Sequence, residues 1–142
     1  MGKNKEPGIL FNKIFLSKCN FKKNSMNSKM KEAKLKFDFR INNRMNNEKT
    51  KLLVEFETMI GKDEEQSPIY LDVIVAGEFS INETEKNLDL EEFSKFNAPA
   101  IIFPYVREFI SDLTTRAGFN PPIILPPMNI INMIKNIKNT NN

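Results

Sequence analysis

The chain has 142 residues, 40% of them hydrophobic, and a formal net charge of +3. This length suits one domain with its own core, and twelve phenylalanines argue against a disordered chain. Histidine is absent, cysteine occurs once and the five glycines are scattered, which disfavours a general base, a thiolate metal site, an internal disulfide or a phosphate-binding loop. We therefore expect a protein that is not an enzyme and needs no cofactor.

We expect neither a membrane-spanning segment nor a signal peptide in this sequence. No apolar run approaches the ~18 residues that cross a membrane, and the N-terminal segment lacks the apolar centre of a signal peptide. We expect a cytoplasmic protein with a single domain over residues 1–142, of which residues 1–8 and 139–142 are flexible. The charge is uneven: residues 1–60 hold fourteen Lys/Arg against six Asp/Glu, and residues 61–142 hold seven against twelve.

Four strands are predicted in the first part of the chain. Leu10–Phe21 alternates only partly, whereas the segments 33–41 and 52–60 alternate apolar and polar residues, as half-buried strands do. Ile69–Ile81 is rich in β-branched residues and apolar on both faces near its centre. Short polar connections between these segments favour an antiparallel meander, with a turn at Asn42–Thr50.

The period then changes to that of helices. Asp89 is a candidate N-cap with Glu92 three residues later, and Gly118 is a natural stop. Pro99 is expected to break or kink the helix, and Pro104 to lie in a first helical turn.

Residues 97–128 contain six of the eight prolines. The pairs Pro121-Pro122 and Pro126-Pro127 fit neither a helix nor a central strand, yet the residues between them, 123–125, are too apolar for a solvated loop. This segment must lie against apolar surface, either the core or the wall of a groove. Asn129 can cap a last helix of ~10 residues, whose apolar side chains fall on one stripe.

The same stretch resembles the SecB family of export chaperones. The residues that carry the resemblance are Asn97, Phe103-Pro104-Tyr105-Val106-Arg107-Glu108, Ile110-Ser111, Arg116, Gly118-Phe119, Pro121 and Pro126-Pro127-Met128-Asn129. Gly77-Glu78-Phe79-Ser80-Ile81 is similar to a strand end of that family. The resemblance implies an α+β fold: a four-stranded antiparallel sheet, a long helix, a proline-rich extended segment and a short C-terminal helix.

The resemblance also implies a function. SecB-like proteins are homotetramers, dimers of dimers, that bind unfolded precursor polypeptides without ATP and keep them competent for translocation. Their clients bind in long apolar grooves, beneath a last helix that acts as a movable lid. By position, the groove residues here are Leu35, Phe37, Phe39, Phe119, Ile123, Leu125, Ile130, Met133, Ile134 and Ile137. The residues expected at the oligomer interface are Tyr105, Phe109, Ile110 and Leu113.

Two alternatives stay open. Family members that deliver precursors to the SecA motor use an acidic patch, of which Asp72 is kept, whereas Lys18 and Lys22 stand at two other acidic positions. This change favours a chaperone dedicated to the antitoxin of a toxin-antitoxin pair. From another class, the basic half could bind single-stranded nucleic acid, but alternation puts Phe37 and Lys36 on opposite faces, so we expect no nucleic acid.

Overall fold

The computed structural model describes residues 8–23, 37–61, 67–82 and 89–140, with the backbone alone for Asn82 and residues 137–140. Four strands form one antiparallel sheet. They are β1 (Gly8–Lys23), β2 (Phe37–Met45), β3 (Lys51–Gly61) and β4 (Ile69–Asn82). Gly8 already belongs to β1, and the predicted start of the second strand, including Leu35, lies outside the described residues.

The helices follow the sheet in the chain. They are α1 (Leu90–Glu92), a π-helical turn (Phe93–Asn97), α2 (Ala98–Arg116) and α3 (Ile130–Thr140). The predicted fold class, a four-stranded antiparallel sheet with a long helix and a short C-terminal helix, is confirmed. Within the described ranges, no helix is both long enough and apolar enough to cross a membrane.

The strand order corrects the predicted meander. The sheet runs β1-β4-β3-β2, so β2, β3 and β4 are consecutive neighbours while β1 pairs with β4. Ile9 lies opposite Ile81, and Lys23 opposite Ile69. β4 therefore has a hydrogen-bonded neighbour along each of its edges. Turn residues predict that two consecutive strands are neighbours only where the connection between them is short. The position of β1 was therefore predicted wrongly.

The turn after β2 also differs from the prediction. β2 continues to Met45, so Asn42 and the residues after it extend the strand instead of forming a loop. The tight turn begins at Asn46, whose side-chain oxygen accepts hydrogen bonds from the backbone nitrogens of Thr50 (2.8 Å) and Lys51 (3.0 Å). A local amide cap therefore replaces the longer polar loop.

One face of the sheet packs against the helices and forms the core. In β3 every second residue from Leu52 to Ile60 is buried, and α2 contributes Ile102, Val106 and Ile110, all fully buried. Gly77 of β4 allows this close approach, because a Cβ there would lie 2.9 Å from Cδ1 of Ile102. Burial of this alternating face is what holds α2 on the sheet.

The predicted helix start is confirmed, whereas the two internal prolines behave differently from the prediction. The Asp89 carboxylate accepts a hydrogen bond from the Glu92 nitrogen (3.0 Å). Pro99 is near the start of α2 and causes no break, and Pro104 lies inside α2 instead of in a first turn. The departure from α-helical geometry is the π-helical turn upstream of both prolines.

Gly118 ends α2, as predicted. Its φ is 88°, in the left-handed region that favours glycine. The nitrogen of Gly118 donates to the Thr115 carbonyl and that of Phe119 to the Thr114 carbonyl, both at 3.0 Å. These two bonds form a Schellman motif, which satisfies carbonyl groups at the end of the helix.

Candidate functional site

The proline-rich segment, residues 119–129, lies against α2 and is held there by polar contacts. Arg107 Nε donates to the Leu125 carbonyl (2.7 Å), and the Ile123 nitrogen donates to Thr114 Oγ1 (2.9 Å). Thr114 is buried and donates in turn to the Ile110 carbonyl (2.8 Å). A segment with few backbone donors is thereby fixed to the helix at two points.

Three of the residues predicted to line a client groove are part of the interior. Phe119, Leu125 and Ile130 are only 4%, 1% and 3% exposed and belong to the core cluster. Ile123 is half-buried against the same cluster. These side chains anchor the proline-rich segment and the start of α3, so they support the site from the core side.

A groove of about 330 Å³ lies between β2 and α3, which we call the β2–α3 groove. Strand residues and helix residues line it: Phe39, Ile41, Asn43, Phe56, Lys95, Ile130, Met133 and Ile134. The structure thus brings together four of the residues predicted from the sequence, namely Phe39, Ile130, Met133 and Ile134. Leu35 lies outside the described residues, as does the side chain of Ile137.

Aromatic rings form the floor of this groove. The ring of Phe39 packs against those of Phe56 and Phe103, with centroids 5.4 Å and 6.1 Å away and the rings nearly perpendicular. Phe37, which is 37% exposed, extends the surface, its ring centroid 5.5 Å from that of Phe39. Such edge-to-face contacts hold a large apolar surface in place while leaving one side open.

Sequence reasoning missed four lining residues: Ile41, Asn43, Phe56 and Lys95. The period of two in the second strand, extended past Ile41, would have placed Asn43 on this face. Phe56 is opposite Ile41 in the neighbouring strand, so a correct pairing would have revealed it too. Lys95 lies in the π-helical turn, for which the sequence carried no signal.

A second concave surface, of about 580 Å³, lies between β1 and α2, and we call it the β1–α2 surface. Apolar and polar residues line it: Ile14, Phe15, Leu16, Val75, Tyr105, Glu108, Phe109, Ser111, Asp112 and Thr115. Of the predicted interface residues, Tyr105 and Phe109 lie here. Leu113 is half-buried against the core, and Ile110 is fully buried within it.

The outer face of the sheet carries a row of charges that crosses all four strands. The Lys18 ammonium of β1 lies 2.8 Å from Asp72 of β4 and 3.7 Å from Glu57 of β3. The Arg40 guanidinium of β2 lies 3.5 Å from Glu57. Lys22 is on β1, paired with Tyr70. The charge of Asp72 is therefore paired within the sheet.

The two carboxyl groups of this row influence each other. Burial alone would raise the pKa of Asp72, but its hydrogen bonds with Glu57 and Lys18 outweigh burial and lower that pKa. The hydrogen bond with Asp72 raises the pKa of Glu57, and burial adds to the rise. In the part of the chain that the structure describes, no three carboxylate or thiolate side chains are grouped so as to hold a metal ion.

The sequence of this chain is similar to those of known proteins. A family model described as preprotein translocase subunit SecB matches residues 2–140. An uncharacterized protein of Methanocaldococcus jannaschii is 41% identical over 95 residues, which cover 65% of this chain and 59% of that protein. The protein-export protein SecB of Methylobacillus flagellatus is 42% identical over 73 residues, 51% of this chain and 45% of that protein. The match thus spans only about half the length of these curated relatives.

Solved structures share the fold. A SecB-like chaperone of Mycobacterium tuberculosis, in complex with a ChAD peptide from the HigA1 antitoxin, superposes with a TM-score of 0.72 and 18% identity, over 85% of this chain and 91% of that one. A protein of unknown function from Streptococcus agalactiae gives a TM-score of 0.53 at 10% identity, over 83% and 96%. At these identities the solved structures show only that the fold is shared. The family model, which matches residues 2–140, shows that this chain belongs to the SecB family.

Proposed function

We propose that this protein is an ATP-independent chaperone that binds unfolded polypeptides in the β2–α3 groove and keeps precursors competent for translocation. The observation that carries the proposal is the partly exposed Phe39 beside Met133 and Ile134, extended by the exposed ring of Phe37 that packs on Phe39. A folded domain gains by covering such side chains, so an open apolar groove is suited to a transient partner. Membership of the SecB family supports the same activity.

The mechanism follows from the shape of the groove. Among the described strands, β2 pairs only with β3, along one of its two edges. Its other edge presents backbone N–H and C=O groups beside the groove. An extended client can pair with this edge while alternate side chains lie on Phe39 and Ile41. Because the chaperone binds only the unfolded chain, it lowers the free concentration of that chain and delays aggregation. No cofactor enters this mechanism, which we assign to the cytoplasm.

We propose further that the protein works as a homotetramer, a dimer of dimers. The support is the β1–α2 surface, where Tyr105 is 41% exposed next to the exposed Leu16 (46%) of the edge strand β1. A second copy would cover both the apolar side chains and the free strand edge. Multi-angle light scattering at micromolar concentration tests this assembly. The mass of a monomer at that concentration would contradict the proposed tetramer.

The chaperone activity is tested by placing charge in the groove. The double variant Phe37→Asp with Ile134→Asp should lose most suppression of aggregation of an unfolded client while keeping the oligomeric state of the parent. Ile124→Asp is the matched control, because Ile124 is 64% exposed and lies on the proline-rich segment outside the groove. Equal suppression by the parent and the double variant would reject the groove assignment.

A dedicated antitoxin chaperone is the second candidate. The similar fold from Mycobacterium tuberculosis was solved with an antitoxin peptide. Asp72, the residue proposed to contact SecA, already has its charge paired with Lys18, which weakens its attraction for a basic partner. Titration of the chaperone with purified SecA, and separately with an antitoxin peptide, distinguishes the two: binding of the peptide without SecA favours the dedicated role.

A further inference from the structure

The two ends of the β2–α3 groove differ in polarity. At the first end the tilted rings of Phe37 and Phe39 pack against each other, and at the other end the strand presents the exposed amide of Asn43. Since Phe39, Ile41 and Asn43 alternate along a strand of unbroken register, the change from aromatic to polar occurs along the length of the groove. A client bound along β2 would therefore meet two different environments.

Charge distinguishes the second end as well, because Phe93, two residues before Lys95, packs on Phe79, which is in register with Leu52 and Met45 at the end of β2 beyond Asn43. Of the described residues that line the groove, Lys95 is the one that is charged. A second ammonium group, Lys135 Nζ of α3, lies 5.2 Å from the ring centre of Phe96, the residue after Lys95. Lys95 is ion-paired with Glu91 at 2.7 Å, but Glu91 is 76% exposed, and exposed pairs of this kind exchange partners at little cost.

We infer that the groove selects client segments that combine apolar residues with an acidic residue at one end, the carboxylate lying beside Lys95 and Asn43. This inference rests on the proposed chaperone function and adds a preference among clients. The alternate apolar residues lie on Phe39 and Ile41, where burial contributes most of the affinity. The carboxylate meets an ammonium and an amide donor, so charge complementarity decides the orientation of the segment and favours acidic over basic ends.

Labelled peptides of nine residues, the length of β2, test the preference. Their alternate positions are apolar, and one terminal position, in turn at either end, carries Glu, Gln or Lys. Fluorescence anisotropy with the 142-residue protein at low salt should show the Glu peptide binding about fivefold more tightly than the Lys peptide for one of the two ends. Added salt should reduce this ratio, because the contact is close to solvent.

Charge variants connect the preference to the groove. Lys95→Glu should reverse the Glu-to-Lys ratio, and Lys95→Gln should bring it close to one. Lys13→Glu makes the same change of charge on β1, away from the groove, and should leave the ratio as in the parent. Lys95→Gln keeps the test valid if Lys95→Glu, placed beside Glu91, fails to fold.

The outcomes separate this inference from the proposed function. Binding of the Gln peptide reports the groove itself, whatever the charge preference. If the Gln peptide binds but the Glu and Lys peptides bind equally, or if Lys95→Gln leaves their ratio unchanged, the inference is overturned and the chaperone function stands. If no peptide binds, the groove assignment fails and the inference fails with it.

Discussion

The Lys18 ammonium lies 2.8 Å from a carboxylate oxygen of Asp72 and connects the edge strand β1 to its neighbour β4 on the outer face of the sheet. The side chain of Asp72 is only 10% exposed, whereas that of Lys18 is 47% exposed. The carboxylate therefore depends on this partner more than the ammonium does. Removing the ammonium leaves a nearly buried charge next to a second carboxyl group, that of Glu57.

Lys18→Met should lower the free energy of unfolding at neutral pH, and the loss should shrink as the pH falls. The pKa of Asp72 is lowered in the fold, so its contribution is present above its unfolded pKa and is lost as the pH falls through the folded pKa. Urea denaturation at neutral and at acidic pH measures the difference. Arg44→Met is the control, since Arg44 is 71% exposed and lies 3.7 Å from Glu55. Equal losses for both variants would contradict the prediction.

Thr114→Val should destabilise the fold by about 1–3 kcal/mol, because the partly buried nitrogen of Ile123 loses its acceptor while the side-chain volume is kept. Thr115→Val is the matched control: Thr115 is exposed and donates within the helix to the Ser111 carbonyl (2.7 Å). Chemical denaturation of both variants gives the difference. A loss for Thr115→Val as large as that for Thr114→Val would show that the contact with Ile123 contributes nothing of its own.

Gly118→Ala should cost about 1–2 kcal/mol, because alanine at a φ of 88° is strained. Crowding adds little, since the nearest atom to a new Cβ would be the flexible Lys23 Nζ at 3.5 Å. Gly118→Asn should cost less than Gly118→Ala, because asparagine tolerates the left-handed region. Thermal unfolding measures the loss of stability in the two variants. A larger loss for Gly118→Asn than for Gly118→Ala would exclude backbone strain as the cause.

Backbone methylation of a client peptide tests the pairing with β2. In an added strand, every second N–H points to the edge of β2 and the others point to solvent. Methylation of one alternate set should therefore weaken binding at least tenfold, and methylation of the other set should change it little. Anisotropy with the two methylated peptides makes the comparison. Equal effects of both sets would mean that side chains alone bind the client.

Local patterns predicted much of this fold because local contacts produce it. The alternation from Leu52 to Ile60 placed one face of β3 in the core, and the caps at Asp89 and Asn129 started helices where expected. Each of these signals depends on residues within a few positions of one another. They need no knowledge of the rest of the chain.

The candidate site was less predictable because it depends on contacts between distant segments. Phe119 and Leu125 resemble surface groove residues in sequence, and only the packing of the proline-rich segment on α2 shows that they are interior. Lys95 faces the groove because of a π-helical turn that no residue pattern indicated. The partner of β1 was likewise set by long-range pairing, which hydrophobic period does not encode.

The crossing of the first strand to the far side of β4 has one more consequence. It leaves β1 and β2 at opposite margins of the sheet, three strand spacings or about 14 Å apart. Among the described strands, pairing of β1 with a second copy would leave the outer edge of β2 open to a client. Loading of cargo and growth of the assembly therefore need not compete for the same backbone.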